Sequence, residues 1–195
     1  MVQHYKINEI FYSLQGEGFY TGTPSVFVRF SGCNLRCPFC DTDHTQGTMM
    51  TEDEIVGEIA KYPALHVVIT GGEPSLFLTE SLVARIKADG HFVAVETNGT
   101  HELPKNVDWV TLSPKCDFVE GAKPILARCS ELKLVYVGQD LSAYDHIVAD
   151  HHFLQPCDSD DAEAARKSLQ ACVEACLANP QWRLSLQTHK LINIR

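Results

Sequence analysis

The chain has 195 residues, 45% apolar and 21% charged. This fits one domain of roughly 100–200 residues and excludes a disordered chain. A formal net charge of −9 argues against a nucleic-acid partner, whose phosphates are held by clustered Lys and Arg. No apolar run reaches the roughly 18 residues of a bilayer span and the start lacks a signal peptide's hydrophobic stretch, so the expected location is the cytoplasm; there, eight cysteines suggest metal or catalytic roles rather than disulfides.

The first strand signal is Ser25 to Phe30, whose alternation puts Val26, Val28 and Phe30 on one side and Arg29 on the other. Thr51-Glu52-Asp53-Glu54 is a capping-box start for a helix with an apolar face of Ile55, Val56, Ile59 and Ala60, ended by Pro63. Leu65 to Thr70 is predicted as a buried strand, followed by the Gly71-Gly72-Glu73-Pro74 turn and a helix that stops near Gly90. Further strands are expected at His91–Glu96, Val107–Leu112, Leu132–Val137, His152–Gln155 and Trp182–Leu186, with the longest helix over Asp160–Ala178. Alternating strands and helices favour a parallel sheet with right-handed crossovers. The chain is shorter than the about 250 residues of a complete eight-fold barrel, so an α/β fold of the incomplete barrel kind is predicted, as one domain over 1–195.

Cys33, Cys37 and Cys40 form a CxxxCxxC triplet short enough to wrap one metal centre. Three thiolates on a cubane cluster leave one iron open to an outside ligand; the alternative is a zinc site completed by His44. Cys116, Cys129 and Cys157 are expected as isolated buried thiols, and Cys172 and Cys176 as part of a helix core stripe with Leu169, Val173 and Leu177.

The triplet with Phe39 before its last cysteine, together with the Gly-Gly-Glu turn after a strand, resembles the radical S-adenosylmethionine superfamily. Within it, five further blocks resemble the 7-carboxy-7-deazaguanine synthase family: Asn8 to Gly18, Phe27 to Cys33, Cys40-Asp41-Thr42, Ser113-Pro114-Lys115 and Gln187 to Lys190. The resemblance implies a partial barrel of the TIM type, a [4Fe-4S] cluster on Cys33, Cys37 and Cys40, and Mg2+ at Thr42. It implies conversion of 6-carboxy-5,6,7,8-tetrahydropterin to 7-carboxy-7-deazaguanine with loss of ammonia, on the route to queuosine in tRNA. The cluster would pass one electron to S-adenosylmethionine, and the resulting 5′-deoxyadenosyl radical would take hydrogen from C6 of the pterin.

The same resemblance assigns Leu14, Gln15, Gly16, Arg29, Thr70, His189 and Arg195 to substrate. It assigns Phe39, Gly72, Glu96, Ser113, Pro114, Lys115 and Gln155 to S-adenosylmethionine. A guanidinium at Arg29 offers the planar two-point donor set a carboxylate needs. The resemblance further implies a homodimer, a flavodoxin-type reductant and a C-terminal segment that closes the pocket. Asn193 stands where that family commonly has Gly, and the Cys40–Thr51 connection is shorter than in some members. The competing readings are an activase of a glycyl-radical enzyme, which would dock a protein, and a zinc-stabilised binding module.

Overall fold

In a computed structural model, which describes residues 2–195, nine strands form one sheet in the order β3-β1-β2-β4-β5-β6-β7-β8-β9. They are β1 (His4–Leu14), β2 (Pro24–Phe30), β3 (Thr48–Thr51), β4 (His66–Gly71), β5 (Phe92–Thr97), β6 (Trp109–Leu112), β7 (Arg128–Tyr136), β8 (Val148–Pro156) and β9 (Trp182–Leu184). From β2 onward along this order every pairing is parallel, whereas β1 is antiparallel to both β2 and β3. One cavity takes wall residues from β1 and from the segment after β9, so the sheet curls into a partial barrel open between its two edges. This is the incomplete barrel expected from chain length.

Helices α1 (Glu52–Ile59), α2 (Glu80–Ala88) and α3 (Ala162–Ala178) follow the strands, and a short α4 (Thr188–Leu191) ends the chain. The expected capping box is formed at α1: Thr51 Oγ1 accepts from Glu54 N, and Glu54 accepts from Thr51 N. Ile55 and Ile59 are buried there, while Ala60 caps the C-terminus and is exposed. Burying the apolar side of such a helix, rather than its intrinsic propensity, holds most short helices in place.

Strand alternation sets up the site. Val26, Val28 and Phe30 of β2 face outward into a core shared with α1 and α2. Phe27 and Arg29 face into the barrel, where Phe27 stacks on Phe11 with ring centroids 4.9 Å apart. On β7, Leu132 and Leu134 join the core under α3 while Lys133 and Val135 line the cavity.

Three expectations are corrected. β1 and β3 carry no strand signal in the sequence reading, yet β1 is the longest strand; its pairing with β2 shifts between Ile7 and Glu9, and such a bulge breaks the period-2 pattern. On α3 Cys172 and Ala175 are buried and Cys176 packs on the same core, as expected of the two cysteines, but Leu169 and Leu177 are exposed. The small residues let the helix lie close on β8 and β9, and the leucine stripe is rotated away. Of the isolated thiols, Cys129 is buried, Cys157 is half-buried on the cavity wall and Cys116 is exposed.

Candidate active site

A cavity of about 310 Å³ occupies the barrel mouth, at the small end of ligand sites. The loop from Ser31 to Gly47, which carries the three cysteines, has no helix or strand. It is pinned where Gly32 N donates to His44 O at 2.9 Å and Glu73 N donates to Gly32 O at 2.9 Å.

The Gly-Gly-Glu turn shows why those residues are needed. Gly71 has φ +130, and a Cβ on it would meet the Phe30 backbone; one on Gly72 would meet the Gly32 carbonyl. Only glycine lets the two backbones approach this closely. The amides of Gly72 and Glu73 are spent on Phe30 O and Gly32 O, so the turn presents carbonyls rather than N–H groups, as suits an ammonium-bearing ligand. Glu73 is buried, its carboxylate accepting from Thr97 Oγ1 at 2.6 Å, Asn98 N at 2.7 Å and Ser75 N at 3.1 Å. Asn98 Nδ2 in turn donates to Asn34 Oδ1 at 3.1 Å, tying the end of β5 to the cysteine loop.

Cys33, Cys37 and Cys40 all line the cavity. Among the described residues no three of His, Cys, Asp and Glu converge on a single-ion position. Three thiols on one cavity wall suit a cluster that keeps one iron open to a ligand in the cavity. Burial pushes the Cys33 and Cys37 thiols up, with Lys115 drawing both the other way; ligation would deprotonate them.

Arg29 sits across from Glu9 on β1 and Thr70 on β4. Its Nε donates to Glu9 Oε1 at 3.0 Å and its Nη1 to Thr42 Oγ1 at 3.2 Å. Glu9 also pairs with the Arg195 guanidinium, and Ser13 Oγ donates to Arg195 O at 2.5 Å. His189 packs so tightly on Gly16 that a Cβ there would overlap its ring.

Deeper in, Thr70 Oγ1 and Gln15 Nε2 donate to the two oxygens of Glu96 at 3.0 and 3.1 Å. Glu96, which the resemblance assigns to S-adenosylmethionine, thus stands hydrogen-bonded to two of the residues it assigns to substrate. Lys115 Nζ donates to Ser113 O and Oγ at 2.6 and 2.7 Å, and burial brings this lysine down to about 8. Phe39 meets Phe118 edge-on at 4.6 Å. Gln155 Oε1 accepts from Ser185 Oγ at 2.9 Å. Leu14, Gln15, Gly16, Arg29, Phe39, Thr42, Thr70, Gly72, Glu96, Ser113, Lys115, Gln155, His189 and Arg195 share this wall with the cysteines. Pro114 does not: it is buried behind the wall.

The radical SAM superfamily model matches residues 27–175. The chain is 55% identical over 190 residues to a 7-carboxy-7-deazaguanine synthase of Bacteroides thetaiotaomicron, covering 97% of this chain and 98% of the relative. The chain belongs to this family. A 7-carboxy-7-deazaguanine synthase of Bordetella pertussis is 42% identical over 97% of this chain and 99% of its own. The crystal structure of QueE from Escherichia coli superposes with a TM-score of 0.77 at 32% identity, covering 94% of this chain and 93% of that one. A radical SAM enzyme of the 7-carboxy-7-deazaguanine synthase family uses a [4Fe-4S] cluster, S-adenosylmethionine and Mg2+, and the thiol triplet and the oxygen donors around Thr42 suit those groups.

The sequence reading missed Glu17 and Lys133 as residues of the cavity wall, although Glu17 lies inside the quoted Asn8–Gly18 block. Lys133 Nζ lies 2.5 Å from Glu17 Oε2 and 3.8 Å from Glu96 Oε1. An inward charge on an otherwise apolar strand, Leu132-Lys133-Leu134, was the available signal.

Proposed function

We propose that this chain converts 6-carboxy-5,6,7,8-tetrahydropterin to 7-carboxy-7-deazaguanine with release of ammonia, as a step toward queuosine. The observation that carries the reading is a single cavity whose wall joins the three cysteines to the Arg29–Thr42 contact and to the polar floor of Gln15, Thr70 and Glu96. When bound, the cluster and S-adenosylmethionine supply the radical that takes a hydrogen from the pterin.

The chain's own groups bind, orient and shield. Arg29 pairs with the substrate carboxylate through two parallel N–H bonds. Its Nη1 donates to Thr42 Oγ1, and that hydroxyl is an oxygen donor that would suit Mg2+, a hard cation that keeps oxygen ligands. Glu96, held by Thr70 and Gln15, accepts pterin N–H groups, and Leu14 and Gly16 offer backbone groups to the ring edge. His189 and the Arg195 terminus cover the pocket and exclude water. Cys33, Cys37 and Cys40 would hold the cluster, and Phe39, Gly72, Ser113, Lys115 and Gln155 would hold S-adenosylmethionine, the carbonyls of the glycine turn being suited to its amino group. Pro114 acts by setting the loop rather than by contact.

The chain works as one domain whose C-terminal segment closes the pocket, a reading supported by Thr188 N donating to Gly16 O at 2.9 Å. The family resemblance supports a homodimer and a flavodoxin-type reductant. A cytoplasmic location suits an oxygen-sensitive cluster, and no helix among the described residues is long and apolar enough to cross a membrane.

The test is anaerobic incubation of the reconstituted protein with reductant, S-adenosylmethionine and carboxytetrahydropterin. Deazaguanine product is expected; cofactor cleavage without it would retain the superfamily and overturn the substrate. Arg29→Ala should raise KM for the pterin on the order of 10- to 100-fold, the worth of a charge-assisted bond, with the cluster spectrum unchanged.

A further inference from the structure

The partial barrel is open between β9 and the β3 edge, and no strand ladder closes it. Polar contacts do so instead. The β1–β2 loop turns into the barrel and meets the segment after β9: Gly18 N donates to Ser185 Oγ at 3.0 Å, and Thr188 N and Oγ1 both donate to Gly16 O at 2.9 Å. At the centre of this seam Glu17 accepts from Lys133 Nζ through Oε2 and from Gln187 Nε2 through Oε1, the latter at 2.9 Å. Glu17 N also donates to Gln15 Oε1 at 3.1 Å, which aims the Gln15 amide nitrogen at Glu96.

We propose that the Glu17–Lys133 pair is a positioning device that latches the C-terminal segment over the pterin pocket and orients Gln15 on the floor. Neither residue needs to touch the reacting atoms. One carboxylate takes a cation from β7 with one oxygen and an amide from the C-terminal segment with the other, so the strand that forms the far wall and the segment that forms the cover are registered against the same loop. The side chains of Lys133 and Glu17 are only 8% and 15% exposed, and a charge so buried must be paired.

Glu131 on β7, its carboxylate accepting from Phe19 N at 2.9 Å, and Glu96 on β5 are the other carboxylates around Lys133, and Lys115 is a further cation within reach of its charge. Burial would raise Glu17, but the charge and hydrogen bond of Lys133, with bonds from Gln187 and Gln155, bring it down to about 2. Without Lys133 the burial and the neighbouring carboxylates are opposed only by the Gln187 and Gln155 bonds, so Glu17 would take up a proton more readily as pH falls and its grip on Gln187 would weaken. The sign follows: a Lys133 variant should recover as pH rises.

This inference rests on the pterin reading, and the experiment separates the two. In reconstituted Lys133→Met, KM for carboxytetrahydropterin should rise on the order of 10- to 100-fold, the worth of a lost charge-assisted bond, and fall back toward the wild-type value as pH is raised. Cluster absorbance should be unchanged. Hydrogen exchange in 185–195 should be faster, with the same relief at high pH. Lys133→Arg, which keeps the charge, should restore both KM and protection. The Lys133→Met/Glu17→Gln double variant leaves no lone buried charge, so it should fold and show the raised KM and fast exchange without any pH relief. Wild-type KM and exchange in Lys133→Met, or an identical pH response in the double variant, would overturn the latch. If the wild-type protein makes no deazaguanine, the pterin reading fails instead, and the exchange measurements still decide whether the pair holds the segment.

Discussion

The two walls of the cavity are built by opposite means. The floor consists of side chains on strands and the seam, with Gln15, Thr70, Lys133 and Gln155 each no more than 8% exposed and each hydrogen-bonded to another part of the chain. The cysteine wall is an irregular loop in which Asn34, Arg36, Pro38 and Cys40 are exposed and the cysteines find little support of their own. Folding alone completes the floor. On the proposed ligation the cysteine wall would be completed by metal, whose binding energy would then help to order the loop.

The largest effect expected from that contrast follows loss of a single cysteine. Cys37→Ala should abolish cluster assembly and bring product formation below detection, because three thiolates are the whole protein share of the site. The sheet should be untouched. Hydrogen exchange should become fast across 31–47 while β4, β5 and β7 keep wild-type protection, and chelation of the wild-type protein should give the same pattern. Loss of protection in the strands would break the comparison, since the floor would then also depend on metal.

Glu73 is where the walls meet, so its removal sharpens the boundary. Its carboxylate takes three hydrogen bonds while 1% exposed. Glu73→Ala strands Thr97 Oγ1 and the amides of Ser75 and Asn98, at a cost of about 2–4 kcal/mol by the usual penalty for unmet buried donors. Denaturant unfolding should show that loss, and Glu73→Gln, which keeps an acceptor oxygen, should lose less. Cluster loading should fall only modestly, because the Asn34–Asn98 contact is one of several ties on the loop. A stability near wild type would mean that the turn is held by its glycines alone.

The parts legible in the sequence share a physical feature: the signal and its cause lie within a few residues. The α1 capping box spans Thr51 to Glu54, and the inward Arg29 follows from alternation in one strand with an apolar outer face. The glycine pair marks a close backbone approach. What stayed hidden depends on distant partners or on broken periodicity. Glu17 and Lys133 are 116 residues apart, and nothing local says that the two charges meet inside the barrel. The bulge in β1 moves Glu9 and Phe11 to the barrel side after Ile7 has faced the outer core, so strict alternation misses the strand. The partners of Glu96, Thr70 on β4 and Gln15 on the seam, likewise lie far from it in sequence, so its place in the floor has no local signal.

The smallest expected effect concerns the cover that joins the two walls. Asn193 has φ +54, a left-handed conformation that Asn tolerates better than most residues and Gly adopts without a Cβ penalty. It turns the chain after α4, with Ile194 N donating back to His189 O at 3.0 Å, and so aims Arg195 at Glu9 and Phe11. Glycine there removes a small strain but frees the unfolded chain, and the opposing changes leave stability within about 1 kcal/mol. A β-branched Asn193→Val should cost about 1–2 kcal/mol locally. Because that strain falls in a terminal segment, which can open without unfolding the domain, it should appear as a several-fold rise in KM for the pterin with Tm unchanged. A drop in Tm like that of Glu73→Ala would show instead that the cover unfolds together with the floor, and the division between a folded floor and separately closed walls would have to be redrawn around the seam.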